Sequence, residues 1–213
     1  MLFEDRVDAG RKLAQALLYL RGGSVVVLGI PRGGVVVANE VAEALGAPLD
    51  VVVTRKIEAP GEPEFALGAV TQDGDVIMDR EAAESLGASR EHIDEQIRLK
   101  KEEVRARMER LRGEAPYPEL GGKTVIIVDD GIATGNSVSA AVMSVRKRNP
   151  KEVVVAVPVA PADAIEALTE DGTKVVCLKM PDAFLAIGEF YKSFDQVEDL
   201  EVKRILGDRA KAV

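Results

Sequence analysis

Lys123-Thr-Val-Ile-Ile-Val-Asp129-Asp130-Gly131-Ile-Ala133-Thr134-Gly135-Asn136-Ser137 is the most informative segment of the sequence. Its first half is a β-branched run, the pattern of a strand buried on both faces. Two adjacent carboxylates follow, then a turn of small residues, then a helical pattern over 136–148. Such a turn lies at the carboxyl end of a parallel strand, where open α/β sheets bind ligands. It can aim several backbone N–H groups at one anion, and the helix N-terminus adds partial positive charge, so a phosphate is the natural guest. Thr134, Asn136 and Ser137 add short side-chain donors. Asp129 and Asp130 suit hydroxyl groups, which donate hydrogen bonds, or a Mg²⁺ ion. A phosphate at one end and vicinal hydroxyls nearby describe a ribose 5-phosphate. The bland alternative is a helix cap with two exposed aspartates. Paired acids at the end of a buried strand are costly without a partner, which weighs against it. The turn lacks the lysine of a Walker A loop.

The flanking sequence alternates between two hydrophobic periods. Helical spacing over 4–20 is followed by a buried strand over 25–30, a break at Pro31-Arg32-Gly33-Gly34, a second helix to about 45 and a strand over 49–54. Downstream, strands over 123–128, 152–157 and 173–178 alternate with helices over 136–148 and 161–169. This predicts an α/β fold: a mostly parallel central sheet with helices on both faces. The middle breaks the rhythm. Residues 55–64 are polar, hold Pro60, Gly61 and Pro63, and read as a mobile loop. Segments 65–71 and 76–78 around Asp73-Gly74 read as a β-hairpin. A short segment over 81–86 and a long charged helix over 90–112 follow. That helix has a thin apolar stripe (Ile93, Ile97, Val104, Met108, Leu111), and its charged residues read as a solvated face. Residues 181–195 are irregular and aromatic, with a helix to about 206. The expected organisation is one domain over 1–213. Its core covers about 25–178, with an insertion over about 57–120 and a hood-like segment over about 181–213.

Composition excludes several function classes. The 36 acidic against 28 basic side chains give a net charge of −8, which argues against broad attraction to nucleic acid. No apolar run approaches the roughly 20 residues of a membrane span, and residues 1–10 lack a signal-peptide stretch. A cytoplasmic address is therefore expected. One cysteine, Cys177, and one histidine, His92, leave no Cys- or His-rich metal site. His92 lies on the charged helix and reads as a surface residue.

Val128-Asp-Asp-Gly-Ile-Ala-Thr-Gly135 resembles the phosphoribosyl diphosphate (PRPP) motif of type I phosphoribosyltransferases. Gly29-Ile-Pro31-Arg32-Gly33-Gly34 looks like the diphosphate loop of that family. Strand order and spacing fit over about 25–178. Phe3-Glu-Asp-Arg6, Arg55-Lys56, residues 64–70 and the aromatic cluster over 190–194 resemble a subgroup of bacterial and archaeal members whose substrate is unsettled. The resemblance implies roles residue by residue. Asp129 and Asp130 would bind the ribose hydroxyls, directly or with Mg²⁺, in part through water. Ala133, Thr134, Gly135, Asn136 and Ser137, after Gly131 and Ile132, would cradle the 5′-phosphate. Arg32, Gly33 and Gly34 would hold the diphosphate, with a cis peptide near Arg32. Arg55 and Lys56 would add diphosphate contacts, and a loop over 57–63 would close over the reacting centre. Asp129, Asp130 and Arg32 would carry catalysis, and a homodimer is also implied.

The implied reaction is Mg²⁺-dependent transfer of phosphoribosyl from PRPP to a nucleobase-like acceptor. The competing reading is a regulatory protein that senses PRPP or a nucleotide without turnover. A diphosphokinase would need an ATP site, which the sequence lacks. Ala133 stands where 6-oxopurine members carry an acid, which weighs against that acceptor class. Four of the eight aromatic residues (Phe184, Phe190, Tyr191, Phe194) fall within eleven positions. Phe190 and Tyr191 are candidates for stacking on an acceptor, against the plainer role of pinning the C-terminal segment. Glu64 is a candidate base or loop anchor.

Overall fold

The computed structural model describes residues 2–113 and 116–210, without the side chains of Pro63, Glu64 and Ala210. The candidate role of Glu64 therefore lies outside the described residues. The core strands are β1 (Val25–Gly29), β2 (Leu49–Val51), β6 (Thr124–Val128), β7 (Glu152–Val159) and β8 (Lys174–Lys179). They form a five-stranded parallel sheet in the order β2-β1-β6-β7-β8. Helices α1 (Arg6–Leu17) and α2 (Gly33–Leu45) cover one face, while α5 (Asn136–Arg146) and α6 (Ala162–Glu170) cover the other.

The β-branched runs have the composition that two buried faces require. In β6, Ile126 and Val128 pack with Leu13, Leu17, Val37 and Val41 of α1 and α2. Val125 and Ile127 point the other way, into Val138, Val142 and Val145 of α5. Period-two alternation is thus present, but both phases are apolar, which is why the strand reads as a continuous run. The edge strand β2 ends at Val51, shorter than the predicted 49–54.

Between β2 and β6 lies a second unit. Strands β3 (Arg55–Ala59), β4 (Glu62–Val70) and β5 (Val76–Met78) form an antiparallel sheet. Short α3 (Arg80–Ser85) and long α4 (Arg90–Arg112) follow. The hairpin at Asp73-Gly74 is as predicted. The mobile loop over 55–64, and with it the closing loop over 57–63, is a correction: β3 and β4 pair there, joined by a tight turn at Pro60-Gly61. Alternation within β3 is real, since Ile57 and Ala59 are buried between less buried neighbours. Its polar members and the adjacent Pro-Gly masked it, because turn residues and a half-exposed strand share a composition.

Helix α4 is capped by Ser89, whose side chain accepts from the His92 N–H. Val104 and Leu111 are buried in the cluster that holds Ile57, Leu67 and Val70. The His92 ring Nε2 lies 3.0 Å from the Glu58 carbonyl oxygen, so His92 ties α4 to β3 rather than standing on an open surface. At the far end of α4, Arg112 donates two hydrogen bonds of 2.6 Å to Asp50 on β2, and both side chains are about nine-tenths buried. This pair couples the inserted unit to the edge of the parallel sheet. Helix α7 (Asp199–Ala210) packs against α2, β2 and α4. No described helix is long and apolar enough to cross a membrane.

Breaking a buried ion pair from one side leaves an uncompensated charge. Asp50→Ala or Arg112→Ala should each lower the unfolding free energy by about 3–5 kcal/mol. In denaturant titrations the double variant should lose clearly less than the sum of the two single losses, because they share one interaction.

Candidate active site

Strands β1 and β6 are neighbours, and their ends are aligned: Gly29 lies opposite Val128. The Ile30 N–H continues the pairing by donating to the Val128 carbonyl at 2.8 Å. The two loops leaving these strands therefore start side by side. The Pro31–Arg32 peptide is cis, as the resemblance implies, and Arg32 is the residue before α2. Gly33 and Gly34 then pass directly over the carboxylate pair. A Cβ on Gly33 would overlap the Asp130 carboxylate, and one on Gly34 would lie 2.7 Å from Asp129 Oδ1. Only glycine permits this approach.

On the β6 side, the Ile132 N–H donates to the Val159 carbonyl at 2.9 Å, which fixes the start of the turn. Ala133, Thr134, Asn136 and Ser137 lie around it, Asn136 and Ser137 opening α5. Gly135 is the N-cap of α5, with φ +78°. It offers no side chain to the first helical N–H groups. Those of Asn136 and Ser137 also have no acceptor within the helix. Uncapped donors at a positive dipole end are features that favour an anion.

The carboxylates are organised by each other and by one arginine. The Asp130 N–H donates to Asp129 Oδ1 at 2.9 Å. Asp130 Oδ2 accepts from Arg6 Nε at 2.7 Å, with both side chains 12 % exposed. Arg6 Nη1 also donates to the Asp195 carbonyl at 2.7 Å, and the guanidinium lies 3.8 Å from the Phe194 ring centroid. In the sequence, Arg6 stands out only within the Phe3-Glu-Asp-Arg6 resemblance, with no role at the site. A cation and a distant buried acid give a weak signal when 124 residues separate the two.

The aromatic cluster closes this corner. The Phe3 N–H donates to the Phe190 carbonyl, and the Lys192 N–H to the Phe3 carbonyl, both at 2.8 Å. Tyr191 OH donates to the Asp130 carbonyl at 2.5 Å. Phe190 and Tyr191 are 7 % and 6 % exposed, packed among Phe3, Phe184 and Phe194. Their rings are used internally to pin the C-terminal segment to the N-terminal one, which leaves no face for stacking on an acceptor. Burial first, then the Asp130 charge, push the Tyr191 hydroxyl well above the usual phenol range against the pull of Arg6, so it stays a donor.

Arg55 begins β3 and pairs with Glu103 of α4 at 3.3 Å. Arg55 and Lys56 line a cavity of about 740 Å³ between the inserted sheet and the outer face of α5, together with Asn136 and Ser137. A smaller pocket, about 70 Å³, joins Pro31, Thr54, Arg55 and Ser137, and α4 adds Arg107 to its wall. The structure thus sets the glycines of the 31–34 loop against the acid pair, and Arg55 and Lys56 across a cavity from Asn136 and Ser137 of the turn. Among the described residues, no group of three His, Cys, Asp or Glu side chains forms a metal cage.

Asp129 lies half-buried at the sheet end. Burial first, then the neighbouring Asp130 charge, push its carboxyl well above the ordinary aspartate range; the Asp130 N–H and Arg6 pull the other way. A raised carboxylate means that folding favours the protonated form. Stability from this group is therefore full below the unfolded pKa of about 3.9 and is lost as pH rises towards the folded value. Asp129→Asn removes that loss. In buffer free of phosphate and divalent ions, its melting temperature should exceed that of the unmodified protein at pH 8, and the gap should shrink at pH 4.

Comparison with known proteins agrees with this geometry. The model of the phosphoribosyl transferase domain family matches residues 4–194. A Mycobacterium tuberculosis protein named "Putative phosphoribosyl transferase" is 44% identical over 209 residues, which cover 98% of this chain and 47% of that protein. The chain thus spans about half the length of the curated relatives it matches. The crystal structure of TT1426 from Thermus thermophilus superposes with a TM-score of 0.89 at 45% identity, over 98% of this chain and 99% of that one. The AQ2163 protein from Aquifex aeolicus shares the fold at a TM-score of 0.50 and 15% identity, over 82% of this chain and 74% of that one. With about nine-tenths of its length inside the family model and the motif turn, glycine loop and acid pair meeting at the centre of its sheet, this chain belongs to the phosphoribosyl transferase domain family.

Proposed function

We propose that this protein binds PRPP and transfers its phosphoribosyl group to a nucleobase-like acceptor with release of diphosphate. One observation supports this above the others: Gly33 and Gly34 lie against Asp130 and Asp129. A ligand whose hydroxyls meet the acids therefore meets the cis Pro31–Arg32 loop on one side and the N-terminus of α5 on the other. PRPP carries a diphosphate, vicinal hydroxyls and a 5′-phosphate in that order.

In this reading the C1–O bond to diphosphate breaks while a bond from C1 to an acceptor nitrogen forms, and the acceptor gives up a proton. Arg32, Arg55 and Lys56 neutralise the departing diphosphate. Asp129 and Asp130 hold the ring hydroxyls and oppose the positive charge that develops on the sugar. Arg6 and the Asp130 N–H each occupy one carboxylate oxygen, which fixes the pair and leaves its other oxygens for the ligand. Two acids without a third ligand fit a Mg²⁺ held mostly by water and substrate oxygens. Asp129 and Asp130 would hold it, and when bound it supplies charge neutralisation at the diphosphate. The paired strands β3 and β4 place Arg55 and Lys56 on an ordered sheet. The diphosphate-side cations favour transfer over sensing of a nucleoside monophosphate, which does not need them.

Calorimetric titration with PRPP, with and without Mg²⁺, followed by diphosphate release with a panel of nucleobases, tests the reading. Binding together with release supports transfer. Binding without release from any base supports the sensor. Absence of binding overturns the assignment of the acid pair. Asp130→Asn should keep the native circular dichroism spectrum and weaken PRPP binding about 10- to 100-fold, the worth of one charge-assisted hydrogen bond.

A further inference from the structure

Arg107 departs from the solvated face predicted for α4. Its side chain is 15 % exposed, and it lies on the wall of the 70 Å³ pocket with Pro31, Thr54, Arg55 and Ser137. Pro31 opens the loop expected to hold diphosphate, Ser137 ends the phosphate turn, and Arg55 begins β3. The inserted helix thus reaches, with one side chain, the point where these three segments meet. At about 70 Å³ the pocket is about a tenth of the neighbouring 740 Å³ cavity, room for a small group such as a phosphoryl rather than for a nucleoside.

Among the described residues, the lining of this pocket holds two arginines, Arg55 and Arg107, and no acid. Arg107 and Arg110 both face Asp199 of α7, at 2.7 and 3.3 Å, so two guanidiniums share one carboxylate. Arg55 is matched by Glu103, one helical turn before Arg107 on the same face of α4. Two arginines and no acid on the wall of a narrow pocket favour an anion there. The planar fork of a guanidinium suits two phosphate oxygens at once.

We infer that Arg107 is a further diphosphate-binding residue, supplied by the inserted helix. This rests on the reading of the site as a PRPP site. The competing explanation is that Arg107 only ties α4 to α7.

Titrations with PRPP and with ribose 5-phosphate, which lacks the diphosphate, separate the two. Arg107→Gln should weaken PRPP binding at least about tenfold, as loss of a charge-assisted hydrogen bond does, and leave ribose 5-phosphate affinity within about twofold. Asp199→Asn breaks the same α4–α7 tie but keeps the cation, so it should bind PRPP at least as tightly as the unmodified protein. Three results overturn the assignment alone: unchanged PRPP binding by Arg107→Gln, equal losses for both ligands, or a PRPP loss in Asp199→Asn matching that in Arg107→Gln. An unmodified protein that binds neither ligand overturns the PRPP reading itself, and this assignment with it.

Discussion

The parallel pairing of β1 with β6 is the constraint on which the site depends. Gly29 and its partner Val128 are far apart in the chain, yet their alignment determines which loops become neighbours. The glycines after β1 and the acids after β6 have no chemistry in common until the strands pair. Once paired, the loops are so close that side chains at positions 33 and 34 would displace the acids. The hydrophobic effect supplies the force for this pairing, since both strands are apolar on both faces and can be buried only at the centre of the sheet.

Two acids at a buried strand end are held against their electrostatic preference. Asp129 is pushed towards its protonated form, while Asp130 is matched by Arg6. The match requires both ends of the chain. Arg6 opens α1, Phe194 and Asp195 receive its guanidinium, and Tyr191 donates to the backbone of Asp130. The aromatic cluster therefore acts on the site by positioning an arginine and a carbonyl. In a chain with few rings, each buried ring packs against the next, and two of them also anchor a polar contact at the site.

The inserted sheet and α4 are joined to the core by charge as well as by apolar packing. Asp50–Arg112 secures one end of α4, and Arg148 and Lys147 just beyond α5 reach Asp73 and Asp75 of the hairpin turn. Between these anchors, Lys100 and Glu103 of α4 meet Glu58 and Arg55 of β3, and Arg107 continues the same side towards the site. A helix with a thin apolar stripe can still be firmly docked when its charged residues find partners on neighbouring elements.

The sequence by itself determined the alternation of strands and helices, the central sheet, the small-residue turn and the paired acids. These are local: the β-branched run of residues 124–128, the acids at 129 and 130 and the small residues of the turn are contiguous, and each follows from short-range backbone and burial preferences. The hairpin around Asp73-Gly74 was legible for the same reason. Strand β3 was not, because its polar positions are satisfied by α4. The roles of Arg6, His92, Arg107, Phe190 and Tyr191 were decided by tertiary structure. Each depends on a partner at least 34 residues away, and an isolated arginine or ring has the same composition whether it is solvated, structural or aimed at a ligand. Charge and aromaticity are local properties of a residue, whereas compensation and burial belong to pairs, and the pairs here are made by the packing of the fold.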